Sequence, residues 1–185
     1  MATDPARRAE INRQNAKITL TTAEATVNDV VFWRNNDTQM PHWPTALGGG
    51  EPLVPFQLPA RSDTNLPPTS DGFPVPKEDL QYGCKIEGHQ DERGLIKVYQ
   101  PLVVNNLTPN SATLNQPYTA TPTTVGGKPP FTWSVISGGL PAGVSLSGNT
   151  ISGTPTTAGR STFVLQAADA LGNFATKSAT ITVKQ

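Results

Sequence analysis

Phe174-Ala175-Thr176-Lys177-Ser178-Ala179-Thr180-Ile181-Thr182-Val183 sets Ala175, Lys177, Ala179, Ile181 and Val183 on one parity and Thr176, Ser178, Thr180 and Thr182 on the other. Successive side chains of an extended chain point to opposite faces, so this period of two marks a half-buried β-strand. Upstream, the same kind of segment recurs at Tyr118–Thr121, Phe131–Ile136, Val144–Leu146, Thr150–Ile151 and Ser161–Ala168, each bounded by Gly, Pro or Asn. Several short strands at this spacing predict an antiparallel sandwich, with Trp133 and Phe163 as core aromatics.

The rest of the chain agrees with an all-β reading. Among 185 residues there are 18 Pro and 16 Gly, which favours short strands and turns over helices. Hydrophobic residues are 36% and charged residues 15% of the chain, a composition of neither a disordered tail nor a membrane protein. No apolar run approaches the ~20 residues needed to span a bilayer. Net charge is zero, but residues 1–100 carry 10 Lys and Arg against 13 Asp and Glu, whereas residues 101–185 carry 4 against 1. Neither half has the clustered basic face that phosphate-backbone binding needs, so nucleic acid is not an expected partner. The start, MATDPARRAEINRQNAK, has no apolar stretch after its arginines and does not read as a secretory signal. The sequons at Asn36 and Asn106 matter only in a source that glycosylates exported proteins.

In the first half, residues 1–15 read as a leader or cap, with Pro5 to Gln14 able to form a helical turn or two. Lys17-Ile18-Thr19-Leu20 and Val30-Val31-Phe32-Trp33 read as strands separated by a polar bend through Ala23 to Asn28. Arg34-Asn35-Asn36-Asp37 supplies turn residues before Met40-Pro41-His42-Trp43-Pro44, where a histidine lies between two backbone-restricting prolines. Residues 45–79 are Gly- and Pro-rich, the composition of a functional loop or flap. Strands return at Leu80–Cys84 and Gly94–Tyr99, joined by a charged loop that carries His89.

The chain has one cysteine, Cys84, and two histidines, His42 and His89. A single cysteine excludes an internal disulfide. One thiolate and two imidazoles form a ligand set that copper favours for electron transfer, and the sequence contains no other set of soft ligands.

Two resemblances sharpen this reading. Residues 16–99 resemble a cupredoxin, the β-sandwich family that includes plastocyanin and azurin. Val30 to Asp37 looks like that family's strand and turn before the first ligand, Pro41-His42 like the ligand site, and Tyr82-Gly83-Cys84-Lys85-Ile86-Glu87-Gly88-His89 like the ligand loop. The resemblance implies a Greek-key sandwich with His42, Cys84 and His89 as equatorial copper ligands. It departs from the family at the weak methionine ligand: aligning Arg93-Gly94 with the family's basic residue and glycine puts Glu92 there. A carboxylate at that position would bind Cu(II) more strongly than a thioether and lower the reduction potential. Gln90, Met40 and the Pro41 carbonyl compete for the same role.

Residues 108–185 resemble the bacterial immunoglobulin-like modules found in tandem on extracellular proteins. The carrying residues are Pro129 to Trp133, Gly139 to Leu146 and Ile151 to Gly159. Such modules act as spacers or adhesion units and imply no catalytic residue. The one acidic residue, Asp169, is too little for a calcium site.

The expected organisation is therefore a cap at 1–15, a cupredoxin-like sandwich at 16–101, a linker at 102–108 and an immunoglobulin-like sandwich at 109–185. The expected function is copper-binding electron transfer or copper handling outside the cytoplasm, with a redox protein or an extracellular assembly as partner. The alternative is a metal-free adhesion protein of two β-sandwich modules. An enzyme using Cys84 as nucleophile finds no supporting motif, so no enzymatic activity is expected.

Overall fold

The computed structural model describes residues 8–14, 17–20, 23–27, 30–35, 40–47, 73–74, 77–89 and 92–185. It divides into two compact units, Met1–Tyr99 and Gln100–Gln185. The described residues are all-β, each unit being built from sheets in a sandwich arrangement.

In the first unit the strands are β1 (Arg8–Gln14), β2 (Lys17–Leu20), β3 (Ala23–Thr26), β4 (Val30–Asn35), β5 (Pro44–Ala46), β6 (Phe73–Pro74), β7 (Leu80–Cys84) and β8 (Arg93–Tyr99). One sheet has the order β2-β1-β4-β6 and the other β3-β8-β7-β5. Two local readings change here. Arg8–Gln14 is a strand pairing parallel with β4, not a helical cap, and Ala23–Thr26 is a strand pairing parallel with β8, not a bend. Both segments are polar, and the backbone ladder offered by a distant strand outweighs their local propensity. Within the second sheet, Leu80, Tyr82 and Cys84 share one face of β7 by the alternation of an extended chain. Tyr82 and Ile96 are fully buried, so that face turns Cys84 inward.

In the second unit the strands are β9 (Val103–Val104), β10 (Ser111–Thr113), β11 (Tyr118–Ala120), β12 (Thr124–Val125), β13 (Thr132–Gly138), β14 (Val144–Ser147), β15 (Thr150–Gly153), β16 (Gly159–Ala168) and β17 (Phe174–Lys184). They form sheets β10-β17-β16-β13 and β11-β15-β14, with a ribbon of β12 and β9. The alternating face of β17 buries Ala179, Ile181 and Val183 against Phe163 and Leu165 of β16 and Ile151 of β15. Phe163 is a core residue, whereas Trp133 is half-buried and lines an open groove with Phe131, Leu140 and Val144. The segment read as a linker belongs to this unit: Val103–Val104 pairs with Thr124–Val125, and Leu107 is buried in the core.

Asp169 anchors the turn between β16 and β17. Its Oδ1 accepts the backbone N–H groups of Leu171 and Asn173, both at 2.9 Å, and its Oδ2 accepts Lys128 N–H and Asn173 Nδ2, both at 3.1 Å. Burial alone would raise the carboxyl's pKa, but these four hydrogen bonds hold it below the ordinary carboxylate value.

Candidate metal centre

The site is assembled where β5, β7 and the start of β8 meet. Strand β5 pairs antiparallel with β7, Pro44 opposite Cys84 and Thr45 opposite Gly83. Pro44 has no N–H to give to this ladder. The ladder is extended instead by Lys85 N–H donating to the Trp43 carbonyl at 3.0 Å, while Trp43 N–H donates to Cys84 Sγ at 3.3 Å. These contacts bring the residue before Trp43, His42, against the end of β7.

The β7–β8 hairpin supplies the other groups. Strand β7 pairs with β8, Gly83 opposite Arg93. Between them a tight turn is closed by His89 N–H donating to the Ile86 carbonyl, and Glu92 N–H donates to the His89 carbonyl, both at 3.1 Å. Gly88 takes a φ of 87°, the left-handed conformation that a type II turn demands at its third position. His89 and Glu92 lie beside Cys84 at this end of the hairpin.

Four side chains converge. His42 is fully buried, His89 and Glu92 are each 6% exposed, and Cys84 is half-buried. One potential ligand atom from each lies within 4.8 Å of every other. His42 Nδ1 lies 3.1 Å from Glu92 Oε2, His89 Nδ1 lies 3.1 Å from Glu92 Oε1, and Cys84 Sγ lies 3.5 Å from His89 Nδ1. The two imidazole centroids are 5.0 Å apart. A carboxylate only accepts, so the His42–Glu92 contact is a hydrogen bond in the tautomer that carries the proton on His42 Nδ1. Glu92 Oε1 faces His89 off the hydrogen-bonding direction and has no hydrogen-bond partner. A buried carboxylate oxygen left in this way carries a desolvation penalty, which a bound cation removes.

The donors suit a single transition-metal ion. Thiolate, imidazole and carboxylate ligands sit about 2.0–2.3 Å from a tetrahedral metal, and their atoms then lie about 3.3–3.8 Å apart. Three of the separations in the cluster are 3.1, 3.1 and 3.5 Å, and none exceeds 4.8 Å.

Of the residues singled out in the sequence, His42, Cys84, His89 and Glu92 come together. Met40 is 38% exposed, and its carbonyl accepts Asn35 Nδ2 at 3.0 Å. Gln90 lies outside the described residues, and Pro41 is half-buried beside His42. Sequence reasoning missed Trp43, whose backbone N–H meets the sulfur, and Gly83. An added Cβ at Gly83 would stand 2.8 Å from the Glu92 carbonyl oxygen and 3.2 Å from Arg93 Nη1. The Gly-Cys dipeptide was the available signal for that close approach.

Comparison with known proteins bears on the second unit. Residues 100–184 match the family described as "Putative Ig domain". No curated protein matches the chain. Among solved structures, a Bacteroides fragilis protein described as a "putative alpha-galactosidase" is 28% identical over 44% of this chain, with a TM-score of 0.37. This chain spans 17% of that protein's length. The IG1+IG2 structure of DIP-gamma is 10% identical, covers 97% of this chain and 99% of its own, and has a TM-score of 0.42. The mouse nectin-like molecule 4 ectodomain is 15% identical over 61% of this chain and 43% of its own, with a TM-score of 0.38. The family match places an immunoglobulin-like domain at residues 100–184 and does not extend into the first unit.

Proposed function

We propose that the first unit binds one copper ion through His42, Cys84, His89 and Glu92, and serves electron transfer or copper handling outside the cytoplasm. The immunoglobulin-like unit acts as its spacer or adhesion module. The observation that carries this reading is Glu92 Oε1, buried without a hydrogen-bond partner among one thiol and two imidazoles. A purely structural cluster would satisfy that oxygen or bury an apolar side chain instead. Copper supplies one-electron chemistry when bound. The chain's own residues hold the donors on strand ends and tight turns, exclude water from both imidazoles, and direct Trp43 N–H at the sulfur. A framework of this kind resists rearrangement when the charge at its centre changes, which favours transfer over substrate turnover.

Titration of the whole chain with Cu(II) tests the reading. One equivalent is expected to raise an intense visible thiolate-to-copper band that Cys84→Ser lacks. A colourless titration, or a band that survives Cys84→Ser, overturns it.

A second reading has its own support in the family match of residues 100–184: both units are interaction modules of an extracellular assembly and neither needs metal. Under it the titration stays colourless and the protein binds a partner equally well after exhaustive chelation.

A further inference from the structure

We infer that Gly83, outside the ligand set, seats Glu92 and through it sets how strongly the site favours Cu(II) over Cu(I). This inference rests on the copper reading above, with the carboxylate's preference for Cu(II) already expected from the sequence, and adds the residue that positions that carboxylate.

The chemistry begins with the donor set. Cys84, His42 and His89 alone are soft or borderline donors able to hold Cu(I) or Cu(II). Glu92 adds an anionic oxygen, a hard donor that gains more from a second positive charge than from the first. It is no loose accessory. One oxygen lies 3.1 Å from His42 and the other 3.1 Å from His89, so the carboxylate spans both imidazoles. With 6% exposure it cannot retreat to water.

The backbone of Glu92 is held equally closely. Its N–H bonds the His89 carbonyl at 3.1 Å, and its carbonyl accepts Arg93 Nη1 at 2.8 Å. That carbonyl rests over Gly83, where a Cβ would meet it at 2.8 Å, Leu47 Cδ2 at 3.0 Å and Arg93 Nη1 at 3.2 Å. Gly83 has no left-handed φ, so alanine strains nothing in its own backbone. The consequence of alanine is steric displacement of Glu92. Gly83 is therefore a positioning residue for the fourth ligand.

The test measures Cu(II) and Cu(I) affinities of the whole chain by competition with a chromogenic chelator for each ion, in the wild type, Glu92→Gln, Gly83→Ala and the double variant. Thermal melting of each apo protein checks folding. The ratio of Cu(II) to Cu(I) affinity is expected to fall about tenfold or more in Glu92→Gln. A tenfold fall equals a rise of about 59 mV in reduction potential for one electron. Gly83→Ala is expected to lower the ratio in the wild type but to add nothing in the Glu92→Gln background, because the two act as one unit. A ratio indifferent to Glu92→Gln, or equal losses from Gly83→Ala in both backgrounds, overturns this inference and leaves the copper reading standing. A wild type that takes up neither ion overturns both. Should Gly83→Ala fail to fold, Arg93→Gln, which removes the donor to the Glu92 carbonyl, takes its place with the same expectation.

Discussion

Among the described residues each unit buries one carboxylate, and the two are treated in opposite ways. Asp169 is 7% exposed and receives four hydrogen bonds, three of them from backbone N–H groups. Glu92 is 6% exposed and receives one from His42, while its second oxygen has none. Asp169 is complete within the fold, so it closes a turn. Glu92 keeps one oxygen without a hydrogen bond, 3.1 Å from His89 Nδ1, and its neighbours are a thiol and two imidazoles. Burial alone does not separate a structural acid from a functional one; the state of its lone pairs does.

The strongest way to sharpen this contrast is to remove the complete carboxylate. Asp169→Ala strands three backbone N–H groups around a buried carboxylate position and is expected to destabilise the immunoglobulin-like unit by about 3 kcal/mol. Hydrogen exchange resolved along the chain should show that loss in residues 100–185, with Cu(II) affinity unchanged. Loading with Cu(II) should do the converse. At a free concentration 100 times the dissociation constant it stabilises the first unit by about 2.7 kcal/mol and leaves exchange in the second unit as it was. A shift shared equally by both units would break the comparison.

Conservative amides give a finer test. Asp169→Asn replaces an acceptor by a donor facing other donors and is expected to destabilise its unit by about 2 kcal/mol. Glu92→Gln in the metal-free protein can still accept from His42 and is expected to stay within about 1 kcal/mol of the wild type. Chemical denaturation of each variant under chelation decides between them. The smallest effect concerns acid. The folded pKa of Asp169 lies below the ordinary carboxylate value of 3.8, so its contribution is full above that value and is lost as pH falls through the folded pKa. Stability of the second unit measured from about pH 5 downward should therefore fall more steeply in the wild type than in Asp169→Asn.

The same contrast governs what was legible in the sequence. Strand β17 announces itself because Ala179, Ile181 and Val183 alternate with polar residues, and its neighbours are bounded by Gly, Pro and Asn turns. Arg8–Gln14 and Ala23–Thr26 do not: they are polar, and both gain strand structure from parallel partners more than 20 residues away. Val103–Val104 is too short to separate from a linker until Thr124–Val125 lies beside it. The candidate ligands were legible for another reason, the scarcity of Cys and His. Asp169 was weighed only as a calcium ligand, although Asp169-Ala170-Leu171-Gly172-Asn173 carries the marks of an aspartate-closed turn. Gly83 could be understood only once the Glu92 carbonyl was seen to lie over it.

The central claim is that the incomplete carboxylate belongs to a copper site with one sulfur ligand. Copper K-edge X-ray absorption on the stoichiometrically loaded whole chain addresses it directly. The account predicts one sulfur scatterer, two imidazoles and an oxygen donor in the first coordination sphere, the sulfur being absent in Cys84→Ser. A wild-type first sphere of nitrogen and oxygen alone would contradict it.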